Sequence, residues 1–154
     1  MNQEIERKFL LSNEGWRGLG QGVLMRQGYL SSDPDRVVRV RIAGDTAFLT
    51  IKSRMVGLTR GEWEYPLPLD EARTLLESVC IRPVIDKVRY RIPYAGMVWE
   101  VDEFFGDNAG LVVAEIELRA EGQTFDKPDW IGAEVSDDVR YFNANLLKHP
   151  YCNW

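Results

Sequence analysis

The sequence predicts a mainly β domain of the α+β class, its strands closed or nearly closed into a barrel and two or three helices packed outside. Three observations carry this. Ionisable residues recur in pairs at i and i+2 with apolar residues between them, which is the period of a strand whose two faces differ. Clusters of Gly, Pro, Asn, Asp and Ser punctuate the chain between these stretches. Helical spacing is confined to residues 70–79 and to a stretch near 136–148.

The first strand, Glu4-Ile5-Glu6-Arg7-Lys8-Phe9, places Glu4, Glu6 and Lys8 on one face and Ile5, Arg7 and Phe9 on the other. Residues 12–22 are glycine-rich and read as a loop with one helical turn. Arg26 to Leu30 is a short strand ended by Ser31-Ser32-Asp33-Pro34-Asp35. Arg36 to Ile42 sets Arg39 and Arg41 against Val38, Val40 and Ile42. After the turn Gly44-Asp45, residues 46–54 form a hairpin partner that sets Phe48, Thr50, Lys52 and Arg54 against Ala47, Leu49 and Ile51. Gly57 to Gly61 reads as a loop. Glu62-Trp63-Glu64-Tyr65 then opens a strand that Pro66 and Pro68 are expected to end.

Asp70 is the expected N-cap of a helix through Val79, whose Ala72, Leu75, Leu76 and Val79 form one apolar stripe against the outside of the sheet. Residues 86–92 alternate again, with Lys87, Arg89 and Arg91 opposite Asp86, Val88, Tyr90 and Ile92. Past the turn 93–96, Met97 to Phe104 groups Val98, Glu100 and Asp102. Leu111 to Arg119 groups Val113, Glu115, Glu117 and Arg119. Beyond Gly122 the chain reads as irregular until a last helix, expected from Ser136 to about Lys148. No internal repeat or linker interrupts the 154 residues, so a single domain spanning 1–154 is expected.

An ordinary half-buried sheet shows an unpatterned mix of polar residues on its wet face. Here about seven strands carry paired charges: Glu4/Glu6 with Lys8, Arg39/Arg41, Lys52/Arg54, Glu62/Glu64, Lys87/Arg89, Glu100/Asp102 and Glu115/Glu117. A sandwich with a salt-bridged outer face is the plain alternative. The number of coincidences favours charged faces turned toward one another across a lumen, with closure removing the exposed edges. An uncompensated buried charge costs several kcal/mol, so these groups must be paired, wet or awaiting a ligand. The cations Lys8, Arg39, Arg41, Lys52, Lys87 and Arg89 would receive a polyanion, and the carboxylates would hold a divalent metal as hard oxygen ligands.

The totals narrow the chemistry. A single histidine, His149, leaves no histidine triad or two-histidine metal site, and Cys80 and Cys152 form neither a C-x-x-C motif nor a disulfide framework. They read as reduced, structural thiols. A net charge of −5 speaks against a nucleic-acid surface. There is no apolar run of the roughly 20 residues that a membrane span needs, and the first residues are acidic and polar, so a cytoplasmic protein without a membrane partner is expected.

Glu4-x-Glu6-x-Lys8, followed by the basic pairs, Arg60-Gly61-Glu62-Trp63-Glu64, Asp86-Lys87-Val88-Arg89-Tyr90, Trp99-Glu100-Val101-Asp102 and Ala114-Glu115-Ile116-Glu117-Leu118, resembles the CYTH superfamily of triphosphate tunnel enzymes. The similarity runs to about Leu147 and includes Glu134-Val135-Ser136 and Arg140-Tyr141-Phe142-Asn143. It implies an eight-stranded antiparallel β-tunnel that hydrolyses or cyclises triphosphates with Mg²⁺ or Mn²⁺. Carried over by position, Lys8, Arg39, Arg41, Lys52, Lys87 and Arg89 become the phosphate clamp. Glu4, Glu6, Asp102, Glu115 and Glu117 become metal carboxylates, with Glu62, Glu64 and Glu100 supporting them. Tyr29, beside the motif lysine in some members, and Glu6 join Lys8 as catalytic candidates.

The resemblance leaves three activities open: inorganic tripolyphosphatase, which compact members of this length look like, thiamine triphosphatase and class IV adenylate cyclase. A non-catalytic module binding polyphosphate or a nucleotide is an alternative of another class, and a homodimer stays open. Trp16, Trp130 and Trp154 read as packing residues, or else as a platform for a base.

Overall fold

Nine strands and one α-helix make up the regular structure of the computed structural model, which describes residues 2–154. In chain order these are β1 (Gln3–Leu11), β2 (Gly22–Ser31), β3 (Arg36–Ala43), β4 (Thr46–Ser53), β5 (Thr59–Leu67), α1 (Leu69–Ser78), β6 (Ile81–Tyr94), β7 (Met97–Phe104), β8 (Val112–Glu117) and β9 (Ile131–Glu134). The sheet runs β5-β4-β3-β2-β6-β7-β8-β1-β9, every pair antiparallel, and a further β5–β1 pairing closes it. Eight strands therefore form a ring. β9 takes over the edge of β1 that β5 leaves, since Gln3 to Ile5 face β5 while Phe9 and Leu11 face β9.

The ring sorts the alternating faces as the charge pattern predicts. Outside, two apolar clusters cover it. Phe9, Trp16, Trp99, Val101, Ala114, Ile116 and Trp130 pack together beneath the loops 12–20 and 118–130. Val40 and Ala47 meet Ala72, Leu76 and Cys80 of the α1 side. That helix packs closely because β2 carries Gly28, where a Cβ would lie 2.9 Å from the Cβ of Cys80 and 3.1 Å from Cδ2 of Leu76. A third cluster, Tyr29, Val37, Ile85, Phe104, Val113 and Tyr141 with Leu146, belongs to the lumen side of the strands. The inward face thus turns from charged to apolar toward one end, where residues 135–154 close over it.

Several expectations change. The helix begins at Leu69 with Pro68 at its N-cap, two residues before the expected cap, and Asp70 makes no capping bond; it sits in the first turn with Glu71, where the helix dipole favours both. β5 runs through Pro66 to Leu67. Beyond Glu62, whose N–H donates to the Asn2 carbonyl, its far side has no ladder partner among the described residues, so a proline forfeits no bond there. The four-residue β9 lies inside the stretch read as irregular.

The expected helix from Ser136 to Lys148 is absent: the segment forms 3-10 turns at Val139–Tyr141, Asn143–Leu147 and Tyr151–Asn153. Asp137, Asp138, Asn143 and Asn145 favour helix weakly. Tertiary demands break it, because Tyr141 and Leu146 must reach the apolar end while Asn143 reaches the lumen. One helix, rather than two or three, packs outside. Among the described residues no helix is long and apolar enough to cross a membrane. Both cysteines are free; Cys80 is buried beside α1, whereas Cys152 is exposed.

Candidate active site

Strand parity aims the ionisable pairs inward, onto a cavity of about 360 Å³. All the expected site residues line it except Asp102: Glu4, Glu6 and Lys8 from β1, Tyr29 from β2, Arg39 and Arg41 from β3, and Lys52 from β4. Glu62 and Glu64 of β5, Lys87 and Arg89 of β6, Glu100 of β7, and Glu115 and Glu117 of β8 complete the set.

Asp102 lies behind this surface with none of its area exposed. Its Oδ1 accepts from Nε of Arg89 at 2.8 Å, and its Oδ2 accepts from Nη2 of Arg89 at 2.9 Å and Nζ of Lys87 at 2.7 Å. Burial alone would raise its pKa, but Arg89 and Lys87 outweigh that and hold it at about 2. Both oxygens are thus committed to cations of the chain.

The basic residues differ in how much charge the protein itself answers. Lys87 is 1% exposed; burial pulls its ammonium down to about 7 in spite of Asp102, with Arg89 and Arg41 adding repulsion. Burial together with Arg39 and Arg89 brings Arg41 to about 9, and its Nε donates to a neutral acceptor, Oε1 of Gln27, at 2.9 Å. Arg89 is opposed by burial too, yet its two bonds to Asp102 keep its pKa above the ordinary arginine value. Arg39 donates to Oγ1 of Thr50 at 3.2 Å while its buried Nε has no hydrogen-bond partner among the described residues. Nζ of Lys8 donates to the Tyr141 carbonyl at 2.9 Å and lies 3.5 Å from Glu115. Lys52 reaches Glu4 at 3.0 Å and Glu62 at 3.4 Å.

The carboxylates fall into two groups. Burial would raise Glu4 and Glu115, but Lys52 and Arg60 hold the first, and Lys8, Arg89 and Lys87 the second, well below the usual carboxylate range. Three others are pushed up. Burial, Glu115 and Glu4 raise Glu6 well above its ordinary value; burial and Glu4 bring Glu62 to about 7; and burial, Glu4 and Glu100 raise Glu117. Strand parity and register explain the crowding: Glu4 and Glu6 share one face of β1, and Glu6 lies diagonal to Glu115 across the β1–β8 pair, in which Lys8 stands opposite Glu115.

This donor set fits a divalent cation, whose charge would relieve the repulsion and whose preference is for carboxylate oxygen. Among the described residues no three such side chains already stand as a metal-binding group. A cation arriving with phosphate oxygens would need only one or two of them, the usual habit of Mg²⁺.

Tyr29 and Lys8 both line the cavity but lie on strands at opposite sides of the ring, and the Tyr29 hydroxyl accepts from Nε2 of Gln27 at 3.1 Å. Sequence reasoning missed Arg60, Gln27 and Asn143. Arg60 lies in the stretch that reads as a loop, although extending the Glu62/Glu64 alternation by two residues puts it on their face; the structure sets it opposite Glu4. Trp16 and Trp130 are buried in the outer core, and Trp154 packs edge-on against Tyr141 and Tyr151, each at 5.0 Å, so all three are packing residues.

The CYTH domain model matches residues 2–151. The chain belongs to the CYTH domain family. An inorganic triphosphatase of Acetivibrio thermocellus is 51% identical over 154 residues, covering 100% of this chain and 99% of that protein. Another from Nitrosomonas europaea is 37% identical over 148 residues, covering 93% and 95%. A crystal structure of an inorganic triphosphatase superposes with a TM-score of 0.68 at 33% identity, covering 94% of this chain and 97% of its own. A protein from Pyrococcus horikoshii shares the fold with a TM-score of 0.59 at 18% identity, covering 77% and 80%. The eight-stranded antiparallel barrel is that of the triphosphate tunnel fold.

Proposed function

We propose that this CYTH protein is a metal-dependent hydrolase of linear triphosphates, inorganic tripolyphosphate foremost, with the 154-residue chain as one functional domain. The carrying observation is the pairing, inside one closed cavity, of under-compensated cations with carboxylates that repel each other. The relatives' activity supports the same reading.

Lys8, Arg39, Arg41, Lys52, Lys87 and Arg89 bind and orient the phosphate chain and stabilise the charge on the transferred phosphoryl group. Asp102 serves them as countercharge, in place of the metal-ligand role the resemblance suggests. Glu6, Glu115 and Glu117, with Glu4, are the residues that would hold Mg²⁺ or Mn²⁺; bound there, the ion would polarise phosphoryl oxygens and offset their charge. Water attacks the terminal phosphorus, the P–O bond to the departing pyrophosphate breaks with its electron pair on the bridging oxygen, and an ionised cavity carboxylate not engaged by the ion takes the water's proton. Tyr29 bonds to Gln27 and so steadies the Arg41 side of the clamp.

A cavity walled by charge, with its tryptophans committed to packing, favours the substrate with most phosphate and least bulk. Tripolyphosphate, ATP, GTP, thiamine triphosphate and pyrophosphate should be assayed side by side for phosphate and cyclic AMP, in Mg²⁺, Mn²⁺ and EDTA. Tripolyphosphate is expected to lead by at least about tenfold in kcat/KM, some 1.4 kcal/mol of transition-state binding, and EDTA to abolish turnover. Cyclic AMP as the main product from ATP would make the protein a cyclase. Tight binding without turnover in either metal would make it a binding module.

A further inference from the structure

The segment Arg140-Tyr141-Phe142-Asn143 supplies no cation to the clamp, yet its Tyr141 carbonyl accepts from Lys8, and Phe142 and Asn143 line the cavity. Two donors converge on Oδ1 of Asn143: Nζ of Lys87 at 3.0 Å and Nε2 of Gln27 at 3.1 Å. Gln27, with none of its area exposed, accepts from Nε of Arg41 at 2.9 Å through its own oxygen. An unbroken chain of hydrogen bonds therefore joins Arg41 on β3 to Lys87 on β6 through two amides.

Both ends of this chain can only donate, which settles the orientation of the amides between them. A guanidinium facing Gln27 requires its oxygen there and turns its nitrogen toward Asn143. An ammonium facing Asn143 requires oxygen at that position too. Asn143 is then left with an Nδ2 that has no protein partner among the described residues, on a side chain that lines the cavity.

The choice of amide has a physical reason. Arg41 and Lys87 repel one another, and their charge must remain available to an anion. Neutral acceptors add to the hold on both without cancelling charge beyond the Lys87–Asp102 pair; a second carboxylate, in place of Asn143, would also pair with Lys87 and compete with phosphate. We infer that Asn143 is a positioning residue for the substrate, locking Lys87 directly and Arg41 through Gln27 into the spacing a phosphate chain requires. The inference rests on the triphosphate reading above.

The test is steady-state hydrolysis of tripolyphosphate by the full chain, with thermal unfolding followed in parallel. Asn143→Ala is expected to raise KM about tenfold with kcat changed less than about threefold, whereas a merely less stable fold lowers the active fraction and so the apparent kcat at unchanged KM. Gln27→Ala should behave alike, and the double variant should be no worse than the poorer single, because both break one chain. Asn143→Asp keeps the acceptor for Lys87 and should raise KM at least as much by competing with substrate. Leu146→Ala, which loosens the apolar anchor of the same segment at a residue that does not line the cavity, should lower the unfolding midpoint at unchanged KM.

Wild-type KM in Asn143→Asp, independent losses in the double variant, or a KM rise in Leu146→Ala equal to that of Asn143→Ala would each overturn the inference. Wild-type protein that neither binds nor hydrolyses tripolyphosphate would remove the functional reading, and the inference with it. Active wild type with variants at wild-type KM removes the inference alone.

Discussion

Asp102→Asn isolates the countercharge of the lumen, because it removes a charge while preserving shape. In the wild type three charge-assisted bonds of 2.7–2.9 Å reach this carboxylate from Lys87 and Arg89, and no surface is open for water to replace it. Removing one partner of a buried ion pair costs about 3–5 kcal/mol. For a domain of this length that corresponds to roughly 6–20 °C in the unfolding midpoint, at about 2–4 °C per kcal/mol. Lys87 can escape part of the cost by losing its proton; Arg89 cannot, and among the described residues retains Glu100 at 3.5 Å and Glu115 at 3.9 Å.

The pH dependence follows in sign. Lys87 titrates near 7 beside Asp102 and must fall lower without it, so between the two values the wild-type native state binds a proton that the variant's does not. Wild-type stability therefore gains on the variant as pH falls through 7, by up to about 1.4 kcal/mol per pH unit. Thermal unfolding by circular dichroism at pH 6 and pH 9, without ligand, measures both effects. A midpoint within about 2 °C of wild type at pH 6, or a deficit larger at pH 9 than at pH 6, would refute the countercharge role.

Arg41→Ala should lower kcat/KM for tripolyphosphate by roughly 10²–10³ while leaving the unfolding midpoint unchanged or higher, since burial and its basic neighbours already work against its charge; unfolding with normal specific activity would contradict this. Glu6→Gln should abolish metal-dependent turnover at no cost in apo stability. Its raised pKa means that the native state holds a proton the unfolded chain releases above the ordinary glutamate value, so wild-type stability declines as pH rises from there toward the native pKa. The variant should lose that slope in unfolding midpoints taken between pH 5 and 7.

The inward face was legible because a two-residue period is local: each of Lys8, Arg39, Arg41, Lys52, Lys87 and Arg89 could be assigned a face from its neighbours alone. Closure was legible indirectly, from the cost that so many aligned charges would otherwise carry. What period cannot convey is depth. Asp102 and Glu100 share one face of one strand, yet Asp102 is walled off and Glu100 lines the cavity, a difference made by cations arriving from β6. The C-terminal segment misled for a related reason. Its acidic start resembles a helix opening, but the positions of Tyr141, Asn143 and Leu146 answer to a distant apolar end and a distant lysine, neither of which leaves a mark in local sequence.

The way β1 closes the ring bears on how the molecule assembles. Its residues pair only with late partners: Glu4 with Arg60, Lys8 with Glu115, and Phe9 with Glu134. β3, β4 and β5, by contrast, join through short turns and can form while the rest of the chain is unstructured. Such non-local pairing places folding in the slow range of milliseconds to seconds, with loop closure ahead of the contacts that reward it. The strand that precedes all its mates in the chain is thus the one whose docking must wait for them. Because it also carries Glu4, Glu6 and Lys8, no half-folded intermediate possesses a working lumen, and recovery of activity during refolding should track the final closure rather than the earlier gain of β-structure.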